Sequence, residues 1–172
     1  MNEIIKAMKE RRSIRKYKSE QIKDTELEQI LEAGLYAASG RGQQATKLVV
    51  VQDKDTIARL SKMNAAVMGA DTDPFYGAPT VITVFADRER VTCVEDGSLV
   101  IGNMMLAAHS IGVDSCWIHR AKEVFDSQEG KELMEEWGVD ADYFGVGNCI
   151  LGYRDCDYPA APARKEGRII RV

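Results

Sequence analysis

The chain has 172 residues, of which 45% are hydrophobic and 29% charged, and a formal net charge of −4. That length suffices for one domain with a substantial core but not for separate cofactor and substrate domains, so a single domain over residues 1–172 is expected. No apolar run approaches the roughly 18 residues that span a bilayer, and the start Met1-Asn2-Glu3-Ile4-Ile5-Lys6 lacks the pattern of a signal peptide; a membrane protein is excluded and a cytoplasmic one expected.

In chain order, Ile4, Ile5 and Met8 recur at helical spacing within residues 2–11, and after Tyr17 the pattern stops in the polar stretch 18–23. Asp24 or Thr25 can cap the next helix, with Glu28 placed for a capping box behind Thr25 and Leu27, Ile30, Leu31 and Leu35 on one face; it should end near Ser39-Gly40. Leu48-Val49-Val50-Val51 reads as a buried strand, followed by a helix over 55–68 and, after a turn-rich segment 71–79, by a second strand over 80–85. The stretch 91–110 is apolar on most faces and predicts a central buried helix. A third strand over 114–118, helices over 121–137 and a last strand over 146–153 complete the pattern, and Ile169-Ile170 in the tail is apolar enough to pair with another sheet or another chain. Strands separated by helices predict an α+β or α/β sandwich with one sheet.

The four cysteines, Cys93, Cys116, Cys149 and Cys156, form no C-x-x-C pair, and the two histidines, His109 and His119, are ten positions apart, so buried reduced thiols and no metal are expected. Charge is unevenly spread: residues 1–18 carry +5 and the remainder −9. Such asymmetry marks either a nucleic-acid arm or an anion site within the fold. Within it, Arg11-Arg12-Ser13-Ile14-Arg15 offers guanidinium forks that match phosphate oxygens two at a time, with a hydroxyl beside them. The plain alternative is a solvated basic helix end that complements the dipole, and the run by itself does not decide between them.

The run resembles the opening motif of the nitroreductase family, a helix followed by Arg-Arg-Ser-x-Arg, and the resemblance continues in order. Tyr36-Ala37-Ala38-Ser39-Gly40-Arg41-Gly42-Gln43-Gln44 is similar to that family's Ala-Pro-Ser-x-x-Asn-x-Gln-Pro segment. Asp96-Gly97-Ser98 through His109 resembles its long helix, Gly112 to Ile118 the strand after it, and Gly145-Val146-Gly147 with Leu151-Gly152-Tyr153 and then Arg164-Lys165 its closing strand and basic tail. The resemblance implies a three-layer α+β sandwich, a mostly antiparallel sheet flanked by helices, in an intertwined homodimer with FMN at the interface. It also implies two-electron transfer from NADH or NADPH through the flavin to a nitroaromatic, quinone or similar acceptor by a ping-pong cycle.

Carried over residue by residue, Arg11, Arg12 and Ser13 would contact phosphate and ribityl, Arg15 the flavin pyrimidine, Asn64 the flavin edge, and Arg164 and Lys165 the phosphate again. Ser39, Gly40 and Gly42 would approach the ring from the partner chain. A cation beside the pyrimidine stabilises the negative charge of the reduced ring. Departures from the family pattern are Ala38 and Ala45 in place of prolines, Gly42 in place of asparagine, and His119-Arg120 in place of paired glycines. His119 and Arg120 either bind phosphate or substrate or cap the next helix. Phe75 and Tyr76, in a turn-rich loop, either line an acceptor pocket or pack in the core, with at least one expected to line the site. The alternatives to this reading are a relative running another flavin reaction such as dehalogenation or dehydrogenation, a flavin-free relative, and a binding protein using residues 6–18 for nucleic acid. Against the last, the rest of the chain is acidic and only Tyr17 interleaves the basic residues as a stacking group.

Overall fold

The computed structural model describes all residues, 1–172. Its elements run α1 (Glu3–Glu10), α2 (Asp24–Leu35), a 3₁₀ turn (Gly40–Gly42), β1 (Thr46–Val51), α3 (Lys54–Met68), β2 (Thr80–Asp87), α4 (Cys93–Ser110), β3 (Asp114–Ile118), α5 (Ala121–Asp126), α6 (Gln128–Glu136) and β4 (Tyr143–Gly152). The strands form one four-stranded sheet in the order β1-β2-β4-β3 with every pairing antiparallel. This is the α+β, three-layer sandwich expected, with helices on both faces.

The central strands β2 and β4 are buried along nearly their whole length, which is why they read as unbroken apolar runs rather than as alternating ones. Side chains alternate to two cores. One holds Val81, Phe85 and Ile150 with Leu60 of α3 and Val124, Phe125 and Leu133 of α5 and α6. The other holds Ile82, Val84, Cys149 and Leu151 with Leu27 and Ile30 of α2 and Val100, Ile101 and Met104 of α4. A bulge between Val84 and Phe85 shifts the register against β4, so Gly147 opposes Val84 and Gly145 opposes Phe85. Gly145 is required there: a Cβ would stand 2.7 Å from the Ala121 carbonyl oxygen, where α5 crosses the strand.

Several boundaries differ from the sequence expectation for identifiable reasons. The second helix begins at Asp24, with Glu26 rather than Glu28 at its start: the Glu26 carboxylate accepts from the Lys23 amide at 3.0 Å and from the Tyr153 hydroxyl at 2.5 Å. That hydroxyl comes from β4's far end and is invisible to local pattern. The same helix ends at Leu35, before Ser39-Gly40, and β4 starts at Tyr143, before Val146. Helix α4 is not buried all round; Gly97, Val100, Ile101, Met104 and Ala108 face the core while Val94 and Leu99 are exposed. Helix α1 lies near α4 and buries none of its residues, leaving Ile4, Ile5 and Met8 open to solvent. The tail beyond Tyr158 is irregular and exposed, and Ile169-Ile170 forms no strand within the chain. No helix is long and apolar enough to cross a membrane.

Candidate functional site

Helix α1 ends at Glu10, and Arg11 leaves it in an extended conformation (φ −50°, ψ 134°). The chain then runs beside the edge strand β3: Ser13 bridges Ser115 in parallel, and the Ile14 amide donates to the Ser115 carbonyl at 3.1 Å. Two side chains drive this seating. Ile14 is fully buried and Tyr17 nearly so, in the α3 core, and the Tyr17 hydroxyl donates back to the Ile14 carbonyl at 2.9 Å. Apolar burial at Ile14 and Tyr17 therefore clamps the basic run against the sheet edge.

The arginines have no acidic partners; none of the protein's ion pairs includes Arg11, Arg12 or Arg15. Arg11 is half-buried and its Nη1 has no hydrogen-bond partner within the protein. It reaches toward the sheet: burial pushes the Cys149 thiol up to about 12, the neighbouring Cys116 adds to the rise, and the Arg11 charge opposes it. Arg12 folds back over the end of α1, its Nη1 donating to the carbonyls of Lys9 (2.8 Å) and Arg11 (2.7 Å), while its Nε is buried without a partner. Arg15 is exposed.

Only four buried side-chain polar atoms lack a partner: Arg11 Nη1, Arg12 Nε, Ser115 Oγ and Asn64 Oδ1. Their distribution is informative. Ser115 sits near the start of β3, opposite Ser13; fully buried Asn64 of α3 donates its amide at 2.9 Å to the carbonyl of His119, just past the end of β3. The orphans lie near the two ends of β3, Ser115 with the arginines at its start and Asn64 of α3 beside the residue that follows its end. Buried polar atoms ordinarily find partners, and each that does not requires an explanation. Two guanidinium groups and a hydroxyl at one end with a carboxamide oxygen at the other suit an elongated ligand with a phosphate and a polar ring edge. The residues fit FMN on that ground.

Other expected site residues are placed differently. Ser39, Gly40 and Gly42 lie in the turn after α2, held by a group that sequence reasoning passed over: the buried Asp96 carboxylate of α4 accepts from the Gly40 amide at 2.9 Å and from the Thr92 hydroxyl at 3.1 Å. A Cβ at Gly40 would stand 2.2 Å from Thr92 Oγ1, so glycine is needed for that approach. Arg164 and Lys165 are exposed in the tail, and Arg164 bonds only the Pro162 carbonyl through Nε and Nη2. Within one chain they are not brought against the N-terminal run. Arg120 stands at the N-cap position of α5 with φ 79° but makes no side-chain cap, its guanidinium pairing with Glu123 at 2.9 Å; His119 is exposed, with its carbonyl engaged by Asn64. Phe75 is a correction: at 1% exposure it belongs to the α3 core and lines no surface. Tyr76 is partly exposed, at φ 55°, and is the aromatic of that loop available to a ligand.

A cavity of about 1010 Å³ lies elsewhere, between α3, the loop 70–79 and Ser19 and Gln21. None of the residues expected around the cofactor lines it. It is defined by Ala58, Ser61, Ala65 and Ala78 with Gln21 and Gln52.

The nitroreductase family model matches residues 8–74 and 68–153. A protein of Archaeoglobus fulgidus that carries the provisional name NADH dehydrogenase/NAD(P)H nitroreductase is 32% identical over 159 residues, 89% of this chain and 86% of its own length. Among solved structures, a Bacteroides fragilis nitroreductase with bound FMN superimposes with a TM-score of 0.92 at 29% identity over all of both chains. A Desulfitobacterium hafniense nitroreductase with bound FMN gives 0.88 at 26% identity over 100% of this chain and 99% of that one. With the family model matching from residue 8 to residue 153 and a relative 32% identical over 89% of the chain, the chain belongs to the nitroreductase family.

Proposed function

We propose that this protein is an FMN-dependent oxidoreductase that moves two electrons from NAD(P)H to a small acceptor, such as a nitroaromatic or quinone, by a ping-pong cycle. The observation that carries the reading is the set of unpartnered buried donors and acceptors near the two ends of β3, with arginines that have no carboxylate partners. Bound FMN supplies the redox chemistry itself, and the protein's part is to hold, orient and tune it.

Arg11, Arg12 and Ser13, joined by Ser115, would hold the phosphate and ribityl end, and Asn64 Oδ1 would be free to accept from the ring edge. Arg15, exposed and free of acidic neighbours, sets the charge beside the pyrimidine. Arg164 and Lys165 close over the phosphate from the tail. Tyr76 and His119, both exposed, would be the side chains available to a nicotinamide and an acceptor that bind in turn.

The working unit is a homodimer. Ile4, Ile5 and Met8 of α1 and Val94 and Leu99 of α4 are exposed, an apolar surface of the kind a subunit interface covers. In the dimer, Ser39, Gly40 and Gly42 reach the partner's ring, through backbone groups in the case of Gly42. Four unpaired cysteines suit the reducing cytoplasm.

The test is direct. Purified protein should be yellow and release FMN on denaturation, and NAD(P)H without acceptor should bleach the bound flavin in a stopped-flow instrument. Colourless protein that refuses added FMN sinks the cofactor assignment; flavin that NAD(P)H does not bleach sinks the reaction. Turnover with nitroaromatic, quinone and halogenated acceptors separates this reading from a relative with another flavin reaction.

A further inference from the structure

The tail residue Tyr158 was not expected at the site, yet its hydroxyl stands at the junction where α1 becomes the basic run. It donates to the Glu10 carbonyl at 3.0 Å and accepts from the Arg12 amide at 3.1 Å. Both groups belong to the helix end, where backbone carbonyls lack intrahelical donors. One hydroxyl thereby sets the spacing and direction in which the chain leaves α1. The ring is itself held on two sides: His109 of α4 stacks on it with centroids 6.1 Å apart and Nδ1 3.3 Å from the hydroxyl, and the Arg154 guanidinium lies 5.1 Å from its centroid. Arg154 is in turn fixed by the buried Asp114 carboxylate at 3.1 Å, at the start of β3. A continuous chain of contacts therefore runs from β3 through Arg154 and Tyr158 to the backbone of Arg12.

We infer that Tyr158 is a positioning residue for phosphate recognition: its hydroxyl locks the α1 exit so that Arg11, Arg12 and Ser13 face the phosphate, and it anchors the tail segment that carries Arg164 and Lys165. The inference rests on the proposed FMN site. Tyr158 touches neither the ring nor the reacting atoms, so its effect is confined to the phosphate end. Riboflavin, which lacks the phosphate and keeps only the ribityl contacts, should sense it much less.

The experiment measures FMN and riboflavin affinity of the deflavinated full chain by fluorescence quenching, for wild type, Tyr158→Phe and His109→Ala. Phe keeps the ring and removes only the hydroxyl. Loss of one bridging hydroxyl should weaken FMN roughly three- to tenfold and weaken riboflavin clearly less. His109→Ala, which loosens the ring without touching Arg12, should give a smaller loss with the same selectivity, and it decides the matter if the Phe variant does not fold. Equal weakening of FMN and riboflavin, or no change in either, overturns the role of Tyr158. Failure of wild type to bind FMN overturns the cofactor assignment instead.

Discussion

Replacing Arg11 with methionine separates an anion site from a structural basic patch, because the two roles predict opposite signs. Arg11 Nη1 is buried without a partner, and no carboxylate pairs with the side chain. An unsatisfied buried polar group costs about 1–3 kcal/mol in the flavin-free protein. Methionine keeps the length of the aliphatic stem and removes that penalty. The flavin-free variant should be as stable as wild type or up to about 1 kcal/mol more so, a rise in Tm of about 2–4 °C for a chain of this size. Binding should move the other way. A charge-assisted hydrogen bond contributes about 1.5–3 kcal/mol, so losing one at the phosphate raises the Kd for FMN by about ten- to hundredfold. Calorimetry of the deflavinated protein and FMN fluorescence titration read the two quantities independently. A variant that loses stability while its FMN affinity stays unchanged would refute the reasoning and return Arg11 to a structural role.

Arg15→Gln should slow reduction of the bound flavin in stopped flow more than it weakens FMN retention, and the reverse ranking would remove Arg15 from the pyrimidine side. Phe75→Ala should cost about 3–5 kcal/mol in chemical denaturation, since the ring is 1% exposed among α3-core residues. Tyr76→Ala should change stability by no more than about 0.5 kcal/mol and show instead in the acceptor KM, so equal destabilisation by both would contradict the loop's division. The Tyr153 hydroxyl holds the Glu26 carboxyl below its ordinary value of 4.5, chiefly by the hydrogen bond between them. The folded value lies under the unfolded one, so this stabilisation is present above pH 4.5 and is lost as pH falls through the depressed value. Tyr153→Phe should accordingly lower Tm at neutral pH and converge with wild type in acid; a gap that persists there would contradict the linkage.

Much of the architecture is legible in local pattern. The strand over 114–118 has the boundaries expected, and the helix over 55–68 differs by a single residue at its start, because Asp53 caps it locally: its carboxylate accepts from the Thr56 amide at 2.8 Å. Where partners come from far along the chain, boundaries move. Glu26 rather than Glu28 starts α2 because Tyr153 holds it, 127 residues away. The exposed apolar faces of α1 and α4 likewise show that apolar periodicity does not by itself report what is covered within one chain.

For the site, order along the chain was enough to single out Arg11, Arg12, Ser13, Arg15 and Asn64, because charge type and hydrogen-bonding capacity are properties of the residues themselves. Whether those groups are free is not. That Arg11 Nη1, Arg12 Nε and Asn64 Oδ1 lack partners, that Phe75 is packed away while Tyr76 is not, and that Asp96 holds Gly40 and Tyr158 holds the end of α1 all depend on contacts across dozens of residues. The sequence by itself determined the element order, the sheet's buried strands and the cluster of basic groups at the N-terminal run. The tertiary structure alone decided which polar atoms remain unsatisfied, because satisfaction is a property of pairs brought together by folding and not of any residue taken singly.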